Sequence, residues 1–199
     1  MANVADETCD LLVVGSGAGG LSAAVTAAWL GLDVLVIEKE PEFGGTTAWS
    51  GGWMWIPRNP LAVEAGIRED VEAPKTYLRG ELAEGYDEAL VSTFLEQGPR
   101  MVAFFRRETS VAFIDGNAIP DFHDHVPGTA YGGRSVCAAP FDGRKLGARI
   151  KELKPPLAEI APFAPSPTRR AGWSGTSPTS SAMSAACTSS TATRLWRGC

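Results

Sequence analysis

A glycine-rich turn between a short apolar run and an alanine-rich run constrains the fold more than any other feature of the sequence. Residues 10–15 are apolar and end in glycine, which predicts a buried parallel strand entering a tight turn. Residues 19–30 contain many alanines and no proline, which predicts a helix, and residues 33–38 predict a second buried strand. Strand, turn, helix and strand in this order predict a βαβ unit of an α/β, Rossmann-like fold.

The turn itself has the glycine spacing of a dinucleotide-binding motif. Gly15 permits a sharp turn, Gly17 lets the backbone approach a pyrophosphate, and Gly20 lets the helix and the strand touch. Glu38, at the end of the second strand, is placed to accept hydrogen bonds from an adenosine ribose. Because an acidic residue disfavours a 2′-phosphate, the unit predicts FAD or NAD and makes NADP the poorest candidate.

The residues that follow the second strand separate FAD from NAD. They include a Glu-Lys pair, a Gly-Gly-Thr-Thr turn and a Ser-Gly-Gly segment within residues 38–52. This arrangement resembles the flavoprotein superfamily of fumarate reductase flavoprotein subunits and 3-ketosteroid dehydrogenases, and the resemblance covers residues 8 to about 163. Segments at 128–130, 132–135 and 140–144 are similar to the ketosteroid dehydrogenase branch.

The resemblance implies FAD as the cofactor, with residues 44–52 running past its pyrophosphate and isoalloxazine ring. It implies an oxidoreductase that moves a hydride between flavin N5 and a carbon of a small-molecule substrate, such as a 3-ketosteroid or an enoate. Catalytic residues and the electron acceptor stay unassigned. The residues expected to bind FAD are Gly15, Ser16, Gly17, Ala18, Gly19, Gly20, Glu38, Lys39, Gly44, Gly45, Thr46, Thr47, Ser50, Gly51 and Gly52.

Two positions differ from the pattern of these relatives. Some relatives attach FAD covalently through a histidine, and Gly45 aligns with that position, so we expect FAD to bind non-covalently. Ketosteroid 1-dehydrogenases carry an active-site tyrosine in a Pro-Asp-Tyr stretch, whereas this chain has Phe122 at that place. The phenol that those relatives use is therefore missing from this position.

Other patterns are weaker, and each has two interpretations. His123 and His125 could be metal ligands or a catalytic base, but without a third ligand in view we expect solvated or hydrogen-bonded residues and no metal. Trp49, Trp53 and Trp55 could line a pocket for a ring-shaped substrate or pack in the core beside the flavin. The four cysteines show neither zinc-binding nor disulfide spacing.

Charge and hydropathy argue against several partners and locations. A net charge of −5 argues against nucleic acid, because phosphate binding needs a basic face. The apolar run 21–37 contains Gly31 and Asp33, so we expect helix, turn and strand there and no membrane span. Residues 1–10 are acidic where a secretory signal is basic and then apolar, so we expect a cytoplasmic protein.

Composition divides the chain into three segments. Residues 8–60 hold the FAD-binding unit and a flavin-contacting loop, and residues 61–163 hold helices and loops that continue the flavoprotein fold. In this second segment the pattern predicts helices at 71–83, 87–96, 99–107 and 146–153, a strand at 111–114, and loop over most of 122–142.

The third segment, residues 164–199, contains no Asp, Glu, Val, Ile or Phe. Such a segment buries too little apolar surface to offset its ordering entropy, so we expect disorder. A shifted reading frame would explain the abrupt change in composition, and a genuine linker would show the same bias.

A complete FAD domain needs further strands that pair with the other edge of the first strand, and the sequence pattern reveals none of these. We therefore expect an N-terminal piece of a two-domain flavoprotein with an incomplete sheet. The alternative to an active oxidoreductase is a catalytically inactive FAD-binding fragment.

Overall fold

The computed structural model describes residues 7–155 and the backbone of Arg194–Arg197. The chain divides into two units, which we call unit 1 (Met1–Gly51 with Pro140–Cys199) and unit 2 (Gly52–Ala139). Each unit has its own β-sheet, parallel in unit 1 and antiparallel in unit 2.

Unit 1 begins with the predicted βαβ unit. Strand β1 (Leu11–Val14) pairs in parallel with strand β2 (Val34–Glu38), and helix α1 (Ala18–Trp29) connects them. The helix covers one face of the two strands, and the buried residues at this contact are Val13, Ala24, Ala27, Val34 and Val36. Because alanine side chains are small, the helix backbone lies close to the strands. The predicted strand, helix and strand are confirmed, but within β1 only Val13 is buried, so the predicted burial of that strand is wrong.

Unit 2 contains three short antiparallel strands, β3 (Trp53–Trp55), β4 (Phe113–Asp115) and β5 (Ser135–Ala138), with β5 in the middle. β4 overlaps the strand predicted at 111–114. The sequence pattern does not predict β5, which lies inside the expected loop. Strands of three or four residues are too short to show an alternating pattern, and their partners are distant in the chain.

The helices of unit 2 are α2 (Pro60–Glu64), α3 (Glu72–Leu82) and α4 (Glu88–Glu108). α3 matches the helix predicted at 71–83. The two helices predicted at 87–96 and 99–107 form the single helix α4, so the predicted break between them is wrong. Among the helices of the described residues, none combines the length and hydropathy needed to cross a membrane.

Pro99 lies inside α4 without ending it. Proline has no amide hydrogen, so the carbonyl four residues earlier, that of Leu95, receives no hydrogen bond from this position. Arg58 supplies a substitute, because its Nη2 donates a hydrogen bond to the Leu95 carbonyl oxygen over 2.8 Å. The compensation comes from a residue distant in the chain, which is why the local pattern predicts a break.

Residues after Pro140 return to unit 1. The short helix predicted at 146–153 is present as a 3-10 helix, Gly143–Glu152, interrupted at Gly147 where φ is 56°. Phe43 and Leu153 form a parallel β-bridge, and the Phe43 amide donates to the carbonyl oxygen of Glu152 over 2.8 Å. These bonds group the segment with the βαβ unit, whereas composition groups it with residues 61–163.

One further strand, β6 (Arg194–Arg197), pairs in parallel with β2 on the side opposite β1. It falls within the segment expected to be disordered. The rest of 164–199 lies outside the described residues. A strand edge offers backbone donors and acceptors to any sequence, so the pairing does not need the aliphatic residues that the segment lacks.

Candidate functional site

The turn between β1 and α1 is built so that helix and strand nearly touch. Gly15 has a φ of 95°, and its amide donates to the carbonyl oxygen of Ile37 over 2.8 Å. A Cβ at Gly20 would lie 2.0 Å from the carbonyl oxygen of Gly15 and 3.3 Å from Cγ1 of Val13. No side chain fits there, so the close approach depends on glycine at this position.

The amino end of α1 presents backbone amides, of which the Ala18 amide donates to Oγ1 of Thr47. Gly17 is the N-cap residue, makes no side-chain hydrogen bond, and is followed by a first turn that contains no acidic residue. The first amides of a helix have no partner within the helix, and the helix dipole makes this end positive. A Cβ at Gly17 would contact only Oγ1 of Thr47, at 3.8 Å. This end of α1 therefore suits an anion such as a pyrophosphate.

A second glycine turn packs against the first. Gly44 and Gly45 have φ values of 116° and 55°, a conformation that favours glycine. A Cβ at Gly45 would lie 3.1 Å from the Cα of Gly17. Oγ1 of Thr47 accepts a hydrogen bond from the amide of Ala18 over 3.0 Å. The two glycine-rich segments predicted to bind one cofactor are therefore adjacent in unit 1.

Ser16 links these turns to Glu38. Its amide donates to Oε2 of Glu38 over 2.9 Å, its hydroxyl donates to the same oxygen, and its Oγ accepts from the amide of Gly44 over 2.9 Å. Ser16 is fully buried, and Glu38 is 8% exposed. The sequence motif predicts Ser16 as a cofactor-binding residue and does not predict this linking role, for which the only signal is a hydroxyl between two motif glycines.

The charge of Glu38 is stabilised by hydrogen bonds. Burial raises the pKa of its carboxyl group. The hydrogen bonds from Ser16 and from the Glu40 amide together outweigh burial, so the pKa lies below its ordinary value. Oε1 of Glu38 accepts from the Glu40 amide over 3.1 Å, and a carboxylate oxygen can accept more than one hydrogen bond. Glu38 is therefore an anion at neutral pH with acceptor capacity for a ribose hydroxyl.

The remaining predicted residues lie outside this cluster. Lys39 is 87% exposed and forms an ion pair with Glu40 at 3.7 Å. Thr46 is exposed, and the hydroxyl of Ser50 donates to the carbonyl oxygen of Thr47 over 3.0 Å. Gly52 belongs to unit 2. The structure thus brings the first turn, Glu38 and the second turn together, and leaves the Lys39 side chain in solvent.

Unit 2 contains a cavity of about 400 Å³ with aromatic walls. Its lining includes Trp53, Trp55, Tyr77 and Phe122. Of the three tryptophans with two interpretations, two therefore line a pocket. The third, Trp49, belongs to unit 1, where the Nζ of Lys154 lies 4.4 Å from its ring centre.

The two histidines have different surroundings. Nδ1 of His123 lies 2.7 Å from Oε1 of Glu81, and both residues line the cavity. His125 has a side chain that is 78% exposed and lies 3.9 Å from a carboxylate oxygen of Asp124. Within residues 7–155, no cluster of three potential metal ligands exists.

Comparison with known proteins identifies the family. The FAD binding domain family matches residues 10–194, so the chain belongs to that family. The match confirms the cofactor predicted from the sequence, FAD. The individual contact residues and the non-covalent attachment stay predictions.

Two curated relatives illustrate the similarity. The chain is 40% identical over 151 residues to a 3-oxosteroid 1-dehydrogenase of Mycobacterium tuberculosis, which is 76% of this chain and 27% of that protein. It is 43% identical over 156 residues to a 4-oxocyclohex-2-ene-1-carboxylate 5-dehydrogenase of Sinomonas cyclohexanicum, which is 78% of this chain and 26% of that protein. The chain therefore spans about a quarter of the length of these relatives.

Two solved structures of ketosteroid dehydrogenases are similar to this chain in fold. A 3-ketosteroid Δ1-dehydrogenase from Sterolibacterium denitrificans, in complex with 1,4-androstadiene-3,17-dione, matches with a TM-score of 0.81 and 27% identity over 96% of this chain and 40% of its own. A 3-ketosteroid-Δ4-(5α)-dehydrogenase from Rhodococcus jostii RHA1 matches with a TM-score of 0.65 at 20% identity, over 98% of this chain and 39% of its own, which concerns the fold alone. The resemblance to the ketosteroid dehydrogenase branch is confirmed.

Proposed function

We propose that this chain binds FAD non-covalently in unit 1. We propose further that it is the FAD-binding part of an oxidoreductase that moves a hydride between a ring carbon of a cyclic ketone and flavin N5. The observation that carries the proposal is the joining of the Gly15–Gly20 turn, Glu38 and the Gly44–Thr47 turn through Ser16 and Thr47. Amides, a helix amino end and a carboxylate are the groups that a dinucleotide requires.

Each part of the cluster has a role toward the cofactor. The amides at the start of α1 bind the pyrophosphate, and the absence of a side chain at Gly17 leaves the space for it. Glu38 accepts from the adenosine ribose. When bound, FAD supplies the redox chemistry, since its isoalloxazine ring exchanges a hydride at N5. Gly45 has no group to form a covalent bond with the ring.

The substrate class follows from the names of the relatives. A 3-oxosteroid and a 4-oxocyclohexene carboxylate are both cyclic ketones, and both enzymes are named as dehydrogenases at a ring position within two carbons of the oxo group. A small cyclic ketone is therefore the proposed substrate of the whole protein. The cytoplasmic location stays a prediction from the sequence.

A second candidate is a chain that binds FAD without turnover. The observation that favours it is the exposure of apolar residues on β1, an edge strand within the described residues, where Leu12 is 51% and Val14 is 76% exposed. Parallel sheets are normally covered on both faces, so this surface is unusual for a complete flavoprotein.

The experiment is anaerobic titration of the purified, FAD-loaded chain with 4-androstene-3,17-dione and with 4-oxocyclohexanecarboxylate. The proposal predicts that either ketone bleaches the absorbance of the bound flavin, because the hydride reduces it. Bound flavin that neither ketone bleaches would support the second candidate. A chain that retains no flavin after gel filtration would contradict both.

A further inference from the structure

Positive charge in unit 1 is concentrated in one short stretch, which we call the basic segment (residues 144–154). It holds five lysine and arginine side chains and one carboxylate, whereas the rest of residues 7–51 and 140–155 holds one lysine and seven carboxylates. The five cations are Arg144, Lys145, Arg149, Lys151 and Lys154. The basic segment is therefore a local positive region on an otherwise acidic part of the chain.

Four of these five cations form no ion pair with any residue that the structure describes. Arg144 is the exception, because its Nη2 lies 2.7 Å from Oδ2 of Asp142. Lys145, Arg149 and Lys151 are exposed, and Lys154 is half-buried. The ion pairs of the described lysines and arginines are formed by Lys39, Lys75, Arg79, Arg100, Arg106, Arg107, Arg134 and Arg144.

The basic segment is fastened to the body of unit 1. The Lys154 amide donates to the carbonyl oxygen of Phe43 over 2.9 Å, and the Phe43 amide donates to that of Glu152 over 2.8 Å. Leu146 is buried beneath the segment and is 8% exposed. The cations therefore project from a supported piece of backbone, and that backbone lies beside Gly44 of the second glycine turn.

Apolar groups accompany the cations that lack an acidic partner. Nζ of Lys154 lies 4.4 Å from the ring centre of Trp49, and Nζ of Lys145 lies 5.8 Å from that of Phe141. An ammonium group over an aromatic ring is attracted to the face of the ring, which favours a defined position. Ile150, which stands between two of the cations in the chain, is 42% exposed. An apolar contact with charged groups around it is typical of protein–protein interfaces.

The partner that fits this surface is a protein with an acidic patch. A nucleic acid or an anionic membrane is a continuous negative surface, which the seven carboxylates elsewhere in residues 7–51 and 140–155 repel. A patch of aspartate and glutamate side chains on a protein can match the basic segment without facing those carboxylates. Opposite charges at such an interface speed association and select the partner.

We propose that the basic segment docks an acidic protein, whose carboxylates pair with Lys145, Arg149 and Lys151 while its apolar atoms cover Ile150. Because the segment is bonded to Phe43, the docked partner lies beside the second glycine turn. The proposal concerns unit 1 alone and does not depend on FAD binding or on hydride transfer.

The probe is a fluorescein-labelled peptide of about twelve glutamates, titrated with the full chain at about 20 mM and about 150 mM salt while its anisotropy is measured. The test variant combines Arg149→Ala with Lys151→Ala. The matched control combines Arg100→Ala with Arg106→Ala, which changes the net charge equally but removes arginines that already pair with glutamates of unit 2. We expect the test variant to bind the peptide about tenfold more weakly at low salt, and the control variant within about twofold of the wild type.

Binding should also weaken at the higher salt concentration, because salt screens exposed charges. Equal peptide affinity in the wild type and the test variant would overturn the proposal, and this is the result expected if the four arginines of residues 164–199 bind the peptide instead. Equal weakening in both variants would overturn it too, since net charge alone would then explain the binding.

Two further results would contradict an acidic protein as the partner. One is a wild-type chain that is folded by circular dichroism and binds no peptide at low salt. The other is tighter binding to phosphatidylglycerol vesicles or to duplex DNA than to the glutamate peptide, because the segment would then prefer a phosphate-bearing surface.

Discussion

The buried hydroxyl of Ser16 donates to Oε2 of Glu38 and accepts from the amide of Gly44, so a single side chain connects the end of β2 to both glycine turns. The Ser16 amide donates to the same carboxylate oxygen over 2.9 Å. Glu38, the proposed ribose acceptor, is therefore held in position by the first glycine turn itself. Loss of this hydroxyl should loosen the whole cluster.

Ser16→Ala should weaken FAD binding about tenfold and destabilise the fold by about 1–3 kcal/mol. The reason is that the buried Gly44 amide loses its acceptor and Glu38 loses a donor. Isothermal titration with FAD and urea unfolding measure the two effects. Ser22→Ala is the control, because Ser22 accepts a hydrogen bond from the Thr26 hydroxyl through its backbone carbonyl oxygen, which the substitution keeps. Equal effects of the two substitutions would contradict the linking role.

Gly20→Ala and Gly19→Ala should have opposite effects on stability, although the residues are neighbours in α1. A Cβ at Gly20 would lie 2.0 Å from the Gly15 carbonyl oxygen, whereas a Cβ at Gly19 has nothing within 4 Å. Gly20→Ala should cost about 1–3 kcal/mol through overpacking. Gly19→Ala should gain about 0.5–1 kcal/mol, because alanine favours the helix. Urea unfolding without added FAD tests this, and a stable Gly20→Ala variant would show that the close contact is misplaced.

The parts of the fold that the sequence predicts are those held by local pattern. The first strand, helix and strand are visible as two apolar runs and an alanine-rich run, because parallel strands buried on both faces are continuously apolar. β5 is not predicted, since Ser135–Ala138 is only four residues long and pairs with strands distant in the chain. The continuity of α4 at Pro99 depends on Arg58, which no local pattern reveals.

The candidate site divides in the same way. The tight glycine turn and the position of Glu38 at the end of β2 were predictable, because a strand-to-helix turn of this kind imposes local backbone geometry. The pairing of Glu81 with His123 was not, since the residues are 42 positions apart and meet only through the packing of unit 2. The sequence pattern predicts solvated or hydrogen-bonded histidines, and His123 is hydrogen-bonded, but the pattern does not reveal Glu81 as its partner.

The pH dependence of stability should carry a contribution from Glu38. Its folded pKa lies below the ordinary value of 4.5, because the bonds from Ser16 and Glu40 outweigh the raising effect of burial. Its contribution is therefore present above about pH 4.5 and is lost as the pH falls through the folded pKa, where the folded carboxylate takes up its proton.

Urea unfolding midpoints between about pH 3 and pH 7 measure this contribution. The difference in stability between the wild type and Glu38→Gln should shrink as the solution is acidified. Other carboxylates with lowered pKa values, such as Glu88 and Asp142, contribute to both proteins and cancel in the difference. A difference that stays constant with pH would contradict the assigned hydrogen bonds.

Cys137 should resist alkylation in the folded protein. Burial raises the pKa of its thiol to about 12, and the residue is fully buried on β5. At about pH 8 the thiolate is scarce and inaccessible. Peptide mass spectrometry after iodoacetamide treatment should find Cys9, which is partly exposed, modified before Cys137. Equal rates for the two cysteines without denaturant would show that unit 2 opens readily.

The most direct test of the central claim, that FAD binds at the first glycine turn of unit 1, is a titration of the purified chain and its Gly17→Val variant with FAD. A Cβ at Gly17 meets only Thr47 Oγ1 at 3.8 Å, so the variant should stay folded by circular dichroism. Its branched side chain occupies the space of the pyrophosphate, and we predict a loss of affinity on the order of a hundredfold. A folded variant that binds FAD as tightly as the wild type would contradict the site.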